Sequence, residues 1–201
     1  MANPSSAQRI IEIAKKVGVL RVRDIVAEGI HPEYLRRLCA QGIMMRSGRG
    51  LYMLADVDAT ENHTLAEASQ KVPHGVICLL SALRFHGLTT QAPFEVWIAI
   101  GGKAWRPRAD YPPLRIFHFS DLSLSSGVEI HQIEGVSVKV FKPAKTVVDC
   151  FKYRNKIGLD APLEALREYC RGRRYTMDQL WHYAKICRVS NVMQPYLESL
   201  T

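Results

Sequence analysis

Within its first 54 residues the chain changes period at successive glycines, and this punctuation restricts its fold more than any other feature. Ile10, Ile11, Ala14 and Val17 recur at helical spacing behind Ser5 and Ser6, either of which can cap a helix, and Gly18 stops the run. A second short helix fits Arg21–Glu28, with Val22, Ile25 and Val26 inward and Gly29 as its stop. After a turn at Gly29-Ile30-His31, His31-Pro32 opens a third helix; proline suits the first helical position because its missing N–H would be unpaired there anyway. Leu35, Leu38 and Cys39 form the inner stripe of that helix, Glu33, Arg36, Arg37 and Ala40 its outer face, and Gly42 its end. Ile43–Arg46 and Leu51–Leu54 then flank Ser47-Gly-Arg-Gly50, the pattern of two apolar strands around a Gly-rich turn. Three short helices followed by a hairpin predict a winged helix-turn-helix.

That arrangement places its polar side chains where duplex DNA can be read. The third helix enters the major groove, so Arg36 and Arg37 face base edges and phosphates, with His31 and Tyr34 near the groove edge. Arg46 and Arg49 stand beside glycines at the hairpin tip, suited to the flanking backbone or minor groove. The alternative is a winged-helix protein–protein interaction module without specific DNA binding, in which Glu33 and Arg37 form a solvated i,i+4 pair and the wing only shields the core. Charge favours a polyanionic partner. The net charge is +8, distributed as +4 over residues 1–56, −1 over 57–140 and +5 over 141–201.

The remainder reads as a second domain, giving a division into residues 1–56 and 57–201 across a linker at 55–60. Helices are expected from Thr60 or Asn62 to Val72 and over the apolar stretch Val76–His86, which Gly87 ends. Strands are expected at Glu95–Ile100, Leu114–Ser120, Val128–Gln132 and Val136–Phe141, with Gly135 in a hairpin turn. Helices follow near 143–155, 161–171, 176–187 and 191–199, the last two opened by capping boxes at Thr176/Gln179 and Asn191/Gln194. The fold class is therefore α+β: an N-terminal winged helix-turn-helix, then a mixed α/β domain with a small sheet and a C-terminal helical region.

Catalytic patterns fail on inspection. Gly101-Gly102 after a strand suggests a nucleotidyltransferase turn, but the carboxylate pair Asp56-x-Asp58 precedes the glycines and Lys103 replaces the expected serine. Ser137-Val-Lys139 has serine where a restriction-type nuclease needs a metal-binding carboxylate. The five cysteines (39, 78, 150, 170, 187) form no C-x-x-C pair and the seven histidines no ligand spacing, so no metal, cofactor or disulfide framework is expected. His86 reads as a cap or core residue. No apolar run reaches the roughly 18 residues of a membrane span, and the polar start Met1–Gln8 lacks a leader pattern, so a cytoplasmic, non-enzymatic protein is expected. Three basic clusters remain. Lys103, Trp105, Arg106 and Arg108 form a basic loop with an interleaved aromatic, suited to base stacking or to plain exposure. Arg171-Gly-Arg-Arg174 suits a helix C-terminus. Lys142, Lys145, Lys152, Arg154 and Lys156 read mostly as one solvated helix face.

Three runs carry a family resemblance. Gly75-Val-Ile-Cys-Leu-Leu-Ser-Ala-Leu-Arg-Phe-His-Gly-Leu88 resembles the start of the second domain of AbiEi-like proteins, and so does Phe141-Lys-Pro-Ala-Lys-Thr-Val-Val-Asp-Cys-Phe-Lys-Tyr-Arg-Asn-Lys-Ile-Gly158. The winged helix ending in Arg49-Gly-Leu-Tyr52 is similar too. AbiEi-like proteins are antitoxins and transcriptional regulators of type IV toxin–antitoxin systems, linked to phage abortive infection. The resemblance implies a repressor of its own operon that binds repeats in the promoter as double-stranded DNA. It also implies a functional partner, an AbiEii-like nucleotidyltransferase toxin. It supplies no catalytic residues and leaves the oligomeric state open.

Overall fold

Ser5, rather than Ser6, caps the first helix: its hydroxyl accepts from the Gln8 N–H and the Gln8 side chain accepts from the Ser5 N–H. The computed structural model describes residues 5–55, 61–107, 111–172 and 176–199. These divide into two compact units, one from residues 1–70 with 132–137, the other from 71–131 with 138–201.

The first unit runs α1 (Ser6–Val17), β1 (Leu20–Arg21), α2 (Val22–Ala27), α3 (Glu33–Ala40), β2 (Met44–Gly48), β3 (Leu51–Leu54) and α4 (His63–Lys71). The strands form a sheet of order β1-β3-β2, with both pairings antiparallel. β1 was not foreseen; two residues are too few to show a strand period, and pairing of Leu20 with Tyr52 and Arg21 with Leu51 creates it. Ile10, Ala14, Leu20, Ile25, Leu35, Leu38 and Met44 make the core, so the inward stripes of all three helices meet on the sheet. Val26, expected inward, is instead exposed, because Ile25 and the partly buried Val22 already cover the inner face of the short α2. Pro32 occupies the N-cap of α3, one position earlier than expected.

α4 counts with this unit. Arg21 donates from Nε to the Gln70 side chain (3.1 Å) and from Nη2 to the Gln70 carbonyl (3.1 Å), and Gln70 donates to the Val19 carbonyl. The expected division at residue 56 thus lies close behind β3, whereas the compact unit continues to Gln70. Residues 132–137 join through a close backbone approach. A Cβ at Gly135 would lie 2.2 Å from the Val17 backbone, and one at Gly18 would lie 1.8 Å from the Glu134 carbonyl oxygen. Both glycines also have positive φ, so only glycine satisfies these two positions. Beside them His63 Nδ1 lies 2.6 Å from Glu134, while its Nε2 lies 3.7 Å from the fully buried Glu67.

The second unit carries β4 (Val76–Ile77), α5 (Leu79–Phe85), β5 (Val96–Gly101), β6 (Leu114–Phe119), α6 (Asp121–Ser125), β7 (Val128–Ile133), β8 (Val136–Phe141), α7 (Pro143–Lys152), α8 (Arg154–Ile157), α9 (Asp160–Arg171), α10 (Met177–Cys187) and α11 (Ser190–Glu198), the tips of β7 and β8 counting with the first unit. The sheet order is β6-β5-β4-β8-β7, antiparallel at β4–β5 and parallel at β4–β8 and β5–β6. The molecule is α+β, as its sequence pattern requires.

Several local expectations change here. The apolar run from Val76 is not one helix. Val76 and Ile77 form the central strand, and α5 starts after Cys78. A run buried on all sides has no period, so only the pairing of Ile77 with Ile98 and Val140 decides its first residues. His86 caps α5 and its Nε2 lies 2.7 Å from the Phe141 carbonyl, in keeping with the cap-or-core reading. The expected helix over 143–155 breaks at Tyr153 into α7 and α8. Thr176 stands at the N-cap of α10 without a side-chain hydrogen bond there. Asn191 lies inside α11, whose N-cap is Val189, so neither expected capping box forms.

The largest correction concerns Lys145. It is fully buried, not solvated: its Nζ lies 2.5 Å from Asp149, 3.4 Å from the Ser123 hydroxyl and 4.3 Å from the Phe141 ring centroid. Its i,i+4 partner Asp149 also accepts from the Cys187 thiol at 3.4 Å. Burial pushes the Asp149 carboxyl above its ordinary value, although Lys145 pulls it the other way.

Candidate nucleic-acid interface

The six residues singled out from the sequence fall on two elements of the first unit: the outer face of α3 with its approach, and the β2–β3 hairpin. Leu35 and Leu38 are buried, which turns Arg36 and Arg37 to solvent one position behind or ahead on each turn. Arg36 is 79% exposed and pairs with Glu33 at 3.4 Å. The helix therefore uses an i,i+3 pair to Arg36 rather than the i,i+4 pair to Arg37 weighed from the sequence. Such a surface pair contributes little and is readily exchanged for another anion. Arg37 is exposed, with its guanidinium carbon 5.6 Å from the centroid of the Tyr34 ring, so the half-buried Tyr34 supports it from the preceding turn. His31 is exposed, and its Nδ1 accepts from the Glu33 N–H at 3.2 Å, fixing the ring at the entrance to the helix.

In the hairpin, Arg46 donates from Nε to the Gly48 carbonyl at 3.1 Å, which braces its side chain across the turn. The strands shift register between Arg46 and Gly48, and Gly50 has φ +74. This irregularity makes the turn tight at the point where Arg49 is exposed. Arg46 also links the two elements electrostatically. Burial raises the thiol pKa of Cys39 in α3, and the Arg46 charge pulls it back down. β2 follows α3 closely, the Ile43 N–H donating to the Leu38 carbonyl at 3.0 Å. Met45, 47% exposed beside Arg46 in β2, had no sequence signal, because an apolar residue in a strand reads as core.

The order helix, strand, helix, helix, strand, strand with a three-stranded antiparallel sheet defines this unit as a winged helix-turn-helix. Residues 8–55 match the protein family described as "Transcriptional regulator, AbiEi antitoxin". The AbiEi-like resemblance carried by the winged helix is thereby supported. The two longer runs, at 75–88 and 141–158, lie beyond the matched residues. No curated protein matches the chain.

Other sequence candidates fare differently. Asp56, Asp58, Arg108, Arg173 and Arg174 lie outside the described residues. Among the described residues, no group of three or more His, Cys, Asp or Glu side chains is placed to hold a metal ion, and no helix is long and apolar enough to cross a membrane.

Proposed function

We propose that this protein is a sequence-specific DNA-binding repressor that acts as the antitoxin of a type IV toxin–antitoxin system and regulates its own operon. The observation that carries the reading is the exposed Arg36–Arg37 pair on the second helix of a helix-turn-helix, with Arg46 and Arg49 on the adjoining wing. α3 lies in the major groove, where Arg36 exchanges Glu33 for phosphate or base edge and Arg37, held by Tyr34, reaches the base pairs. His31 sits at the groove edge. Arg46 and Arg49 grip the flanking backbone or enter the minor groove. Residues 1–56 are the DNA-binding domain. Residues 57–201 are the antitoxin-like domain, whose functional partner is an AbiEii-like nucleotidyltransferase. The protein works in the cytoplasm without catalysis of its own.

The test is a fluorescence-anisotropy titration on the promoter of its own operon against scrambled duplex, at two salt concentrations. Preference for the promoter, weakening with salt and lost in Arg36→Ala/Arg37→Ala while the fold persists, is the expected result. Equal binding to both duplexes refutes the repressor and favours the interaction-module reading.

A further inference from the structure

The loop between β5 and β6 is absorbed by neither the fold nor the winged helix. Trp105 is 95% exposed, and Phe94, just before β5, is 84% exposed. Side chains of that size are normally buried in part, and leaving them in water forfeits the largest apolar contribution available to a residue. Tyr111, 53% exposed, lies before β6. The register pairs Val96 with Leu114, and the Val96 N–H donates to the Pro113 carbonyl at 2.8 Å, so Phe94 and Tyr111 share the entrance end of two neighbouring strands. Trp105 belongs to the other end: the turn closed by the Ala104 N–H on the Gly101 carbonyl follows the last residue of β5. β5 and β6 are parallel and six residues long, so the two ends of the pair stand about 20 Å apart.

The charge here is local. Lys103, Arg106 and Arg115 are exposed. Residues 94–118 carry four basic and two acidic side chains, whereas the rest of 57–140 carries three basic and six acidic. A cationic stretch therefore stands in an otherwise acidic region, with aromatic rings at both of its ends. Arg115 already lies over a ring, its guanidinium carbon 4.4 Å from the Trp97 ring centroid.

We infer that the β5–β6 edge, with Phe94 and Tyr111 exposed at one end of the strands, Trp105 exposed beyond the other and Lys103, Arg106 and Arg115 supplying charge, binds single-stranded nucleic acid. Separate rings presented to solvent need free base faces, which a duplex keeps stacked and a single strand offers. A protein partner would favour a contiguous apolar patch, whereas these rings are parted by cations. A span of about 20 Å suits the lower end of the ~4–16 nucleotide footprints of such surfaces.

The test uses the full chain carrying Arg36→Ala/Arg37→Ala, so that the winged helix does not contribute, and fluorescein-labelled oligo(dT) of twelve nucleotides beside a duplex of equal length. The expected result is salt-sensitive binding of the single strand in preference to the duplex, with quenching of tryptophan emission. Trp97 is buried and Trp181 partly so, which leaves Trp105 as the accessible reporter. Trp105→Ala and Phe94→Ala should each weaken binding about tenfold, with unchanged melting because both side chains are exposed. The inference is overturned if oligo(dT) does not bind, if the duplex binds equally, or if neither substitution alters affinity. Loss of strand binding on Arg36→Ala/Arg37→Ala alone also overturns it, and leaves the repressor reading untouched.

Discussion

Replacing Lys145 by Met tests how the second unit tolerates an ion pair at its centre. Lys145 and Asp149 have no solvent exposure, and the pair is one turn long within α7. Methionine keeps the approximate length and removes the charge. The Asp149 carboxyl then faces the Cys187 thiol at 3.4 Å with no cation beside it, and stays folded only by taking up a proton. That proton is bound from an unfolded state in which the carboxyl titrates near 3.9, so at pH 7 it costs about 4 kcal/mol. This matches the ~3–5 kcal/mol found on breaking buried pairs, against a total stability of about 5–15 kcal/mol. The cost should shrink by about 1.4 kcal/mol for each pH unit toward 4. Urea unfolding followed by tryptophan emission measures this unit specifically, because Trp97, Trp105 and Trp181 all lie within it. Lys145→Met/Asp149→Leu should regain most of the loss, since the carboxylate is then gone as well. A single-variant loss under about 1 kcal/mol, or one that does not diminish on acidification, refutes the account.

Three further outcomes follow from the same geometry. Alanine at Gly135 should destabilise the first unit well beyond alanine at Gly29. Both have positive φ near +72, costing about 1–2 kcal/mol, but only the Gly135 Cβ meets backbone, so the difference in urea midpoint measures the contact with Val17. Glu164 accepts from the Thr89 hydroxyl (2.7 Å) and the Thr90 N–H (2.8 Å), which hold its carboxyl below the ordinary value. Its contribution is present above the ordinary carboxylate range and is lost as pH falls through the folded value. Glu164→Gln should therefore flatten the acid limb of a melting-temperature profile, whereas Asp149, with its raised carboxyl, acts with opposite sign. Finally, Arg46→Ala/Arg49→Ala should lower the salt slope of promoter binding by up to ~1.8 without changing sequence preference, as measured by anisotropy across salt concentrations.

The winged helix was legible because its signals are local. Ser5, Gly18, Gly29 and Gly42 set helix ends, and Leu35 and Leu38 fix which face of α3 turns outward, so the exposure of Arg36 and Arg37 follows from their neighbours. Val26 does not face inward as expected, because apolar character alone does not say whether a short element has a partner for each of its faces.

The second unit reverses the balance. Its strands β5, β6, β7 and β8 were readable from β-forming residues between turns, and its C-terminal helices from their period. The split of the Val76 run into β4 and α5 was not, because a segment surrounded by core has no polar side to mark its period. Lys145 was placed in solvent on the ordinary expectation for lysine, and only a partner four residues on, closed over by Phe119, Phe141 and α10, makes its burial tolerable. For α1 and α3 the sequence alone determined where the helix stops and which face it offers, since those depend on backbone preference and neighbours within a turn. Tertiary structure decided which strand completes the sheet, which charge is buried and which rings remain in water, since each depends on atoms brought together from distant parts of the chain.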